Sequence, residues 1–195
     1  GQPLPEATIL IHCEQGFGDS IQFVRYVQHV IPLVGRVVLM CPDPLRRLFQ
    51  TIPGVDVFIS YFDPIPHCDC QAPLLSLPYL FGTTLETIPK AVPYLKPCPD
   101  AVARFAQRLT HVKNAKIGLV WHGNPRQKND RNRSMDPKHL IRLLDTPGCT
   151  FISLQTEDYD FNPNPFFRLP QFNDWTRELS DFADTAALIG LIGGI

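Results

Sequence analysis

Nowhere in this chain do some twenty apolar residues follow one another, the length a helix needs to cross a bilayer. No basic stretch leading into an apolar one opens it either, and the expected location is the cytoplasm. Net charge is nearly absent: 18 lysines and arginines face 19 aspartates and glutamates, leaving −1. No global field therefore draws the chain toward nucleic acid or an anionic membrane. There is no internal repeat at a short fixed period. There is no GxGxxG fingerprint, no Walker loop ending in GK[ST] and no nucleophile elbow, so the commonest dinucleotide, nucleotide-triphosphate and hydrolase signatures are excluded.

What is present suits a packed α/β chain. Hydrophobic residues make up 44% and charged residues 19% of 195, enough core for one ordinary domain or two small ones. The six cysteines are scattered and read as free, mostly buried thiols rather than a disulfide framework. His67, Cys68, Asp69 and Cys70 stand together, but no second ligand pair follows at a suitable spacing, so no metal is expected. The 20 prolines fall in clusters that punctuate elements.

Strands are predicted over residues 7–13, 36–41 and 55–60, and helices over 44–52 and 74–81. Residues 61–71 read as loop. Ile21, Val24, Tyr26, Val27, Val30 and Ile31 give a helical apolar stripe after the first strand. Strand and helix alternate, which predicts a parallel sheet with right-handed crossovers. A proline-rich passage, 89–99, leads to a helix ending near Leu109, with Asp100 expected as its cap. A second series follows: strand 117–121, loop 122–135, helix 137–144, strand 150–154, and a final helix from residue 181. The reading is α/β with two Rossmann-like units, divided as 1–112 and 113–195. The second shows only two clear strands and is expected to be incomplete.

Two places carry chemistry. The stretch GFGDSIQFVRYV, residues 16–27, leaves the first strand through Gly16 and Gly18 and sets Asp19 at the mouth of a helix. Parallel sheets place binding and catalytic groups there. The plain alternative is a helix cap. The second is the loop after the strand at 117–121. There Arg126, Lys128, Arg131 and Arg133 lie close together in a chain with almost no net charge, flanked by Asn124 and Ser134. Guanidinium groups grip phosphate bidentately and lysine adds a point charge. The plain alternative is a solvated surface loop.

These residues match a known pattern. Residues 10–26 (LIHCEQGFGDSIQFVRY), 73–78 (PLLSLP), 82–89 (GTTLETIP), 118–125 (GLVWHGNP), 129–134 (NDRNRS) and 182–187 (FADTAA) occur in order over nearly the whole chain. In this the chain resembles the glycosyltransferase segment of bacterial tetratricopeptide-repeat proteins, similar to the heptosyltransferase family.

The resemblance implies a GT-B architecture, with the acceptor held by the first domain and a nucleotide-sugar donor by the second. It implies Asp19 as general base, with Gln15, Gly16, Gly18 and Arg25 on the acceptor side. Asn124, Arg126, Lys128, Arg131, Arg133 and Ser134 would contact the donor's phosphates, helped by the dipole of the helix expected at 137–144. It implies metal-independent transfer to an acceptor hydroxyl, no cofactor beyond the donor, and a saccharide or protein acceptor. Tetratricopeptide repeats would normally share the chain, and a donor-site motif would follow the final helix, so these residues read as truncated before it. The alternative is a non-catalytic α/β binding or scaffold domain derived from such an enzyme.

Overall fold

The computed structural model describes residues 2–124, 127–156 and 169–193. They form two compact units, Gly1–Lys96 and Pro97–Ile195. Both are α/β with parallel sheets, as Rossmann-like units are.

The first unit starts with β1 (Leu4–His12), whose inner residues Leu10 and Ile11 are buried. Then come α1 (Phe17–Phe23), a 3-10 turn (Val24–Tyr26), α2 (Val27–Val30) and a second 3-10 turn (Ile31–Leu33). The stripe seen in the sequence is thus one broken helical segment, with Pro32 inside its last turn. Next are β2 (Val34–Met40), α3 (Asp43–Phe49), β3 (Val57–Ile59), β4 (Cys70–Pro73) and α4 (Leu77–Leu80). The strand order is β3-β2-β1-β4. Val37, Val38 and Leu39 in β2 are buried without a break, as expected of a strand covered on both faces.

Strand β4 falls in and beyond a stretch read from the sequence as loop. It is short, holds Gln71 and ends on Pro73, so it carries no strand signal of its own. It exists because it pairs with β1, in register Ile11 to Ala72. Asp69 anchors its approach, exchanging bonds with Thr8: its N–H donates to the Thr8 carbonyl (2.9 Å) and its carboxylate accepts from the Thr8 N–H (2.8 Å).

The second unit opens with α5 (Pro99–Leu109). This helix, assigned from the sequence to the first domain, packs against α7 (Phe182–Ile192). It buries Ala101, Phe105 and Leu109, one face at a spacing of four. Its N-cap is Cys98 rather than Asp100, because Pro99 takes the first helical position, where a missing N–H costs nothing. Asp100 sits in the first turn.

The sheet of this unit is β5 (Ala115–Leu119), β6 (Cys149–Ser153) and β7 (Phe172–Asn173), all parallel and in that order. The two-residue β7 has no periodicity to betray it. Leu119, Trp121, Leu144, Phe151 and Phe172 form the core against this sheet. The helix expected at 137–144 is a 3-10 turn (Pro137–Leu140) followed by the four-residue α6 (Ile141–Leu144). Among the described residues, no helix is long and apolar enough to cross a membrane.

Candidate functional site

In the first unit the chain runs from β1 through β2 to β3, then crosses to the other side of β1 as β4. The reversal opens a crevice at the C-terminal ends of β1 and β4, where open α/β sheets bind ligands. The β1–α1 turn lies at that edge. Gly16 is the N-cap of α1, so Asp19 is in the first turn and not the cap. The Gly16 carbonyl accepts from the Ser20 N–H (3.0 Å) and hydroxyl (3.1 Å), with Ser20 fully buried. Gln15, Gly16, Gly18 and Asp19 are all exposed. Neither glycine has a positive φ. A Cβ on Gly16 would press to 3.3 Å from the Asp19 carboxylate, whereas one on Gly18 would meet nothing. Gly16 therefore keeps room for Asp19, and the case for a tight turn at Gly18 falls away.

The crevice itself holds a residue that the sequence reading did not single out. Glu14 accepts from the Leu74 and Leu75 N–H groups, both at 3.2 Å, tying the end of β1 to the segment after β4. Only the pairing of β4 with β1 reveals this, since the partners lie some sixty residues apart in sequence.

Asp19, Gln22 and Phe23 of α1 and Tyr26 of the 3-10 turn after it stand at i, i+3, i+4 and i+7. The last three line a pocket of about 480 Å³. Pro78, Thr83, Thr84, Leu85 and Ile88 also line it. The Phe23 and Tyr26 rings lie near-parallel, 21° apart in plane with centroids 6.3 Å apart. Arg25 also lines the pocket, but its guanidinium is engaged. It donates to the Gln22 carbonyl (2.9 Å) and the Pro89 carbonyl (3.3 Å) and lies 4.3 Å over the Tyr94 ring. It fastens the loop after α4 to the helical segment.

Burial controls the thiols at this edge. Cys13 is pushed up to about 11 and Cys41 to about 12. The Tyr61 hydroxyl donates to the Cys13 carbonyl (2.6 Å), and burial raises the phenol to about 12. None of the three can serve as a base or nucleophile near neutral pH.

In the second unit the loop after β5 is built from within. The Gln155 side-chain carbonyl accepts from the Trp121 and His122 N–H groups (3.4 and 3.3 Å), and its amide donates to the His122 carbonyl (3.2 Å). The Ser134 hydroxyl accepts from the Gly123 N–H (3.1 Å) and donates to Asp130 (2.7 Å). Ser134 thus closes the loop, a role with no signature in sequence. Lys128, Arg131 and Arg133 are exposed, and none of them forms an ion pair among the described residues. Arg133 folds back over Gly123, its guanidinium 3.7 Å from where a Cβ there would stand. Asn124 is exposed, and Arg126 lies outside the described residues.

The helix dipole expected beside this loop is not available. Asp136 caps the 3-10 turn through the Lys138 N–H (3.0 Å) and pairs with the Lys138 ammonium (2.7 Å). Among the described residues no group of three His, Cys, Asp or Glu could hold a metal ion.

No family profile, curated protein or solved structure matches this chain.

Proposed function

We propose that this chain is a glycosyltransferase segment of GT-B type, of the kind found in tetratricopeptide-repeat proteins, moving a sugar from a nucleotide-diphosphate donor to an acceptor hydroxyl. One observation carries the reading. Asp19 is an exposed carboxylate in the first turn of α1, at the strand-to-helix connection after β1, and Gln22, Phe23 and Tyr26 further along the segment line a pocket. An exposed carboxylate at the strand-to-helix turn of a parallel sheet suits an acceptor-activating base.

In this mechanism the acceptor hydroxyl gives its proton to Asp19 as its oxygen bonds the donor's anomeric carbon. The bond from that carbon to the diphosphate oxygen breaks, and the electron pair leaves with the nucleoside diphosphate. Lys128, Arg131 and Arg133 offset the charge that grows there. The reaction calls for no metal and no cofactor besides the donor.

A second reading, a non-catalytic domain derived from such an enzyme, is favoured by the loop after β5. Its Ser134 and Asp130 side chains are turned inward on each other and Gly123 rather than offered to a ligand.

The test is release of nucleoside diphosphate from a panel of nucleotide-sugars, with acceptors present. Turnover is expected in a full-length version that includes the donor-site motif, and Asp19→Asn there should lower it by about 10²–10⁴-fold with an unchanged circular dichroism spectrum. Turnover equal to that of the parent chain would leave Asp19 a structural residue. Donor binding without turnover would favour the second reading.

A further inference from the structure

Among the described residues that line the pocket beside α1, Arg25 alone is charged. We infer that this pocket is a site for a small organic anion, an apolar body carrying a carboxylate or phosphate head. The head sits beside Arg25, and the body lies against Phe23, Leu85 and Ile88. That such an anion is the acceptor rests on the glycosyltransferase reading; that it binds here does not.

The charge of Arg25 has no counter-charge. It forms no ion pair among the described residues. Its partners are the Gln22 and Pro89 carbonyls and the Tyr94 ring, all of them neutral, so the guanidinium keeps its full positive charge. A guanidinium carries five N–H donors. Two are spent on those carbonyls, and the rest meet no acceptor among the described residues. Arg25 is half-buried, so water reaches it only in part. An anion supplies both the opposite charge and the missing acceptors. Those same bonds to Gln22 and Pro89 hold the guanidinium in place before any ligand arrives, which lowers the cost of binding.

The neutral polar groups of the lining work in the same direction. The Gln22 amide and the Thr83 hydroxyl line the pocket, and neither side chain makes a hydrogen bond within the described residues. Both can donate, and a carboxylate or phosphate accepts. The Glu86 carboxylate accepts from the Thr84 hydroxyl (2.7 Å), is not part of the lining and makes no ion pair with Arg25. It leaves the arginine's charge unneutralised.

The remaining wall is apolar. Phe23, Pro78, Leu85 and Ile88 line a volume of about 480 Å³, within the range of small-molecule sites. A fully hydrated ion such as free phosphate gains nothing from these residues. A molecule with an apolar part beside its charge gains from both.

The experiment is an NMR titration of the whole chain, with no donor present, using probes of one body and different charge. Benzoate and phenyl phosphate are set against benzyl alcohol and benzylamine. At least one anion is expected to bind about tenfold or more tighter than the alcohol and the amine, with amide shifts centred on residues 22–26 and 83–89. Whichever anion binds tighter names the head group. Added salt should weaken the anions and not the alcohol. Arg25→Gln should abolish the preference for anions, and Arg25→Lys should restore part of it. Leu85 is 83% exposed, so Leu85→Asp and Leu85→Lys test the charge while leaving Arg25 and its loop bonds in place. The first should weaken anion binding about threefold and the second strengthen it about as much. Benzyl alcohol binding as tightly as both anions, Leu85 variants that leave anion affinity unchanged, or shifts centred elsewhere would overturn the inference. Anion binding is read without a donor, so the site stands or falls by this titration and the enzyme reading by turnover.

Discussion

Arg104 of α5 meets Asp184 of α7 at 2.7 Å, and the carboxylate is wholly buried while half of the arginine side chain stays in water. The other oxygen of Asp184 accepts from the Ser180 N–H (3.0 Å) and hydroxyl (2.6 Å). One turn further along α5, Arg108 meets Glu178 at 2.6 Å with both partners partly exposed. The same helix thus carries a buried ion pair and a surface one. Arg104→Ala, which strands a buried carboxylate, is expected to cost about 2–4 kcal/mol in urea unfolding. Arg108→Ala is expected to cost less than about 1 kcal/mol. Equal losses would mean that burial does not set the difference.

Arg133 folds back over Gly123 in the loop after β5. If the loop holds a diphosphate, Arg133→Ala should raise the dissociation constant for a nucleotide-sugar by about tenfold, with acceptor binding unchanged. Lys128→Ala should do less. Titration calorimetry of the two variants against the parent chain decides it, and unchanged donor affinity returns the loop to a solvated surface.

Arg25 bonds the Pro89 carbonyl and stacks on Tyr94. Removing it should unfasten that loop. Arg25→Ala is expected to speed backbone hydrogen exchange over residues 83–94 with little change over β1 and β2. Arg25→Lys keeps the charge but not the planar fork and should restore only part of the protection.

Asp63 accepts from the Ser60 N–H (2.8 Å) and pairs with Arg46 (3.0 Å). The Ser60 N–H first, and Arg46 after it, hold its carboxyl below the usual carboxylate range. A depressed group contributes stability above its unfolded pKa, near 4, and loses it as pH falls through the lower folded value. Asp63→Asn should therefore flatten part of the acid limb of a stability-against-pH curve and leave its alkaline limb alone.

Cys13 and Cys41 are buried, with thiols raised to about 11 and about 12. At pH 8, on the order of one Cys13 thiol in a thousand is ionised. Under native conditions iodoacetamide should modify the partly exposed Cys70 and Cys149 first, and reach Cys13 and Cys41 only after unfolding. Mass spectrometry of the peptides reads the order.

Local signals sufficed for part of this protein. The unbroken apolar runs at β1 and β2 are a direct product of burial on both faces. Gly16 and Asp19 mark the turn that follows β1, and Asp181 caps α7 through the Asp184 N–H as the start of the final helix suggested. The sequence also pointed to the cation-rich loop, because four like charges in a nearly neutral chain stand out without any structure. What only the tertiary structure decided is whatever depends on residues distant in sequence. β4 is a strand because β1 offers it an edge, and β7 because β6 does. Glu14 and Ser134 take their roles from partners brought close by folding, and Arg25 is engaged because Pro89 and Tyr94 arrive beside it. α5 joins the second unit through its packing on α7. Periodicity and turn chemistry report how a segment treats water and its own backbone. They carry no record of which distant hydrogen-bonding edge or opposite charge will satisfy it, and that pairing is settled only when the chain is folded.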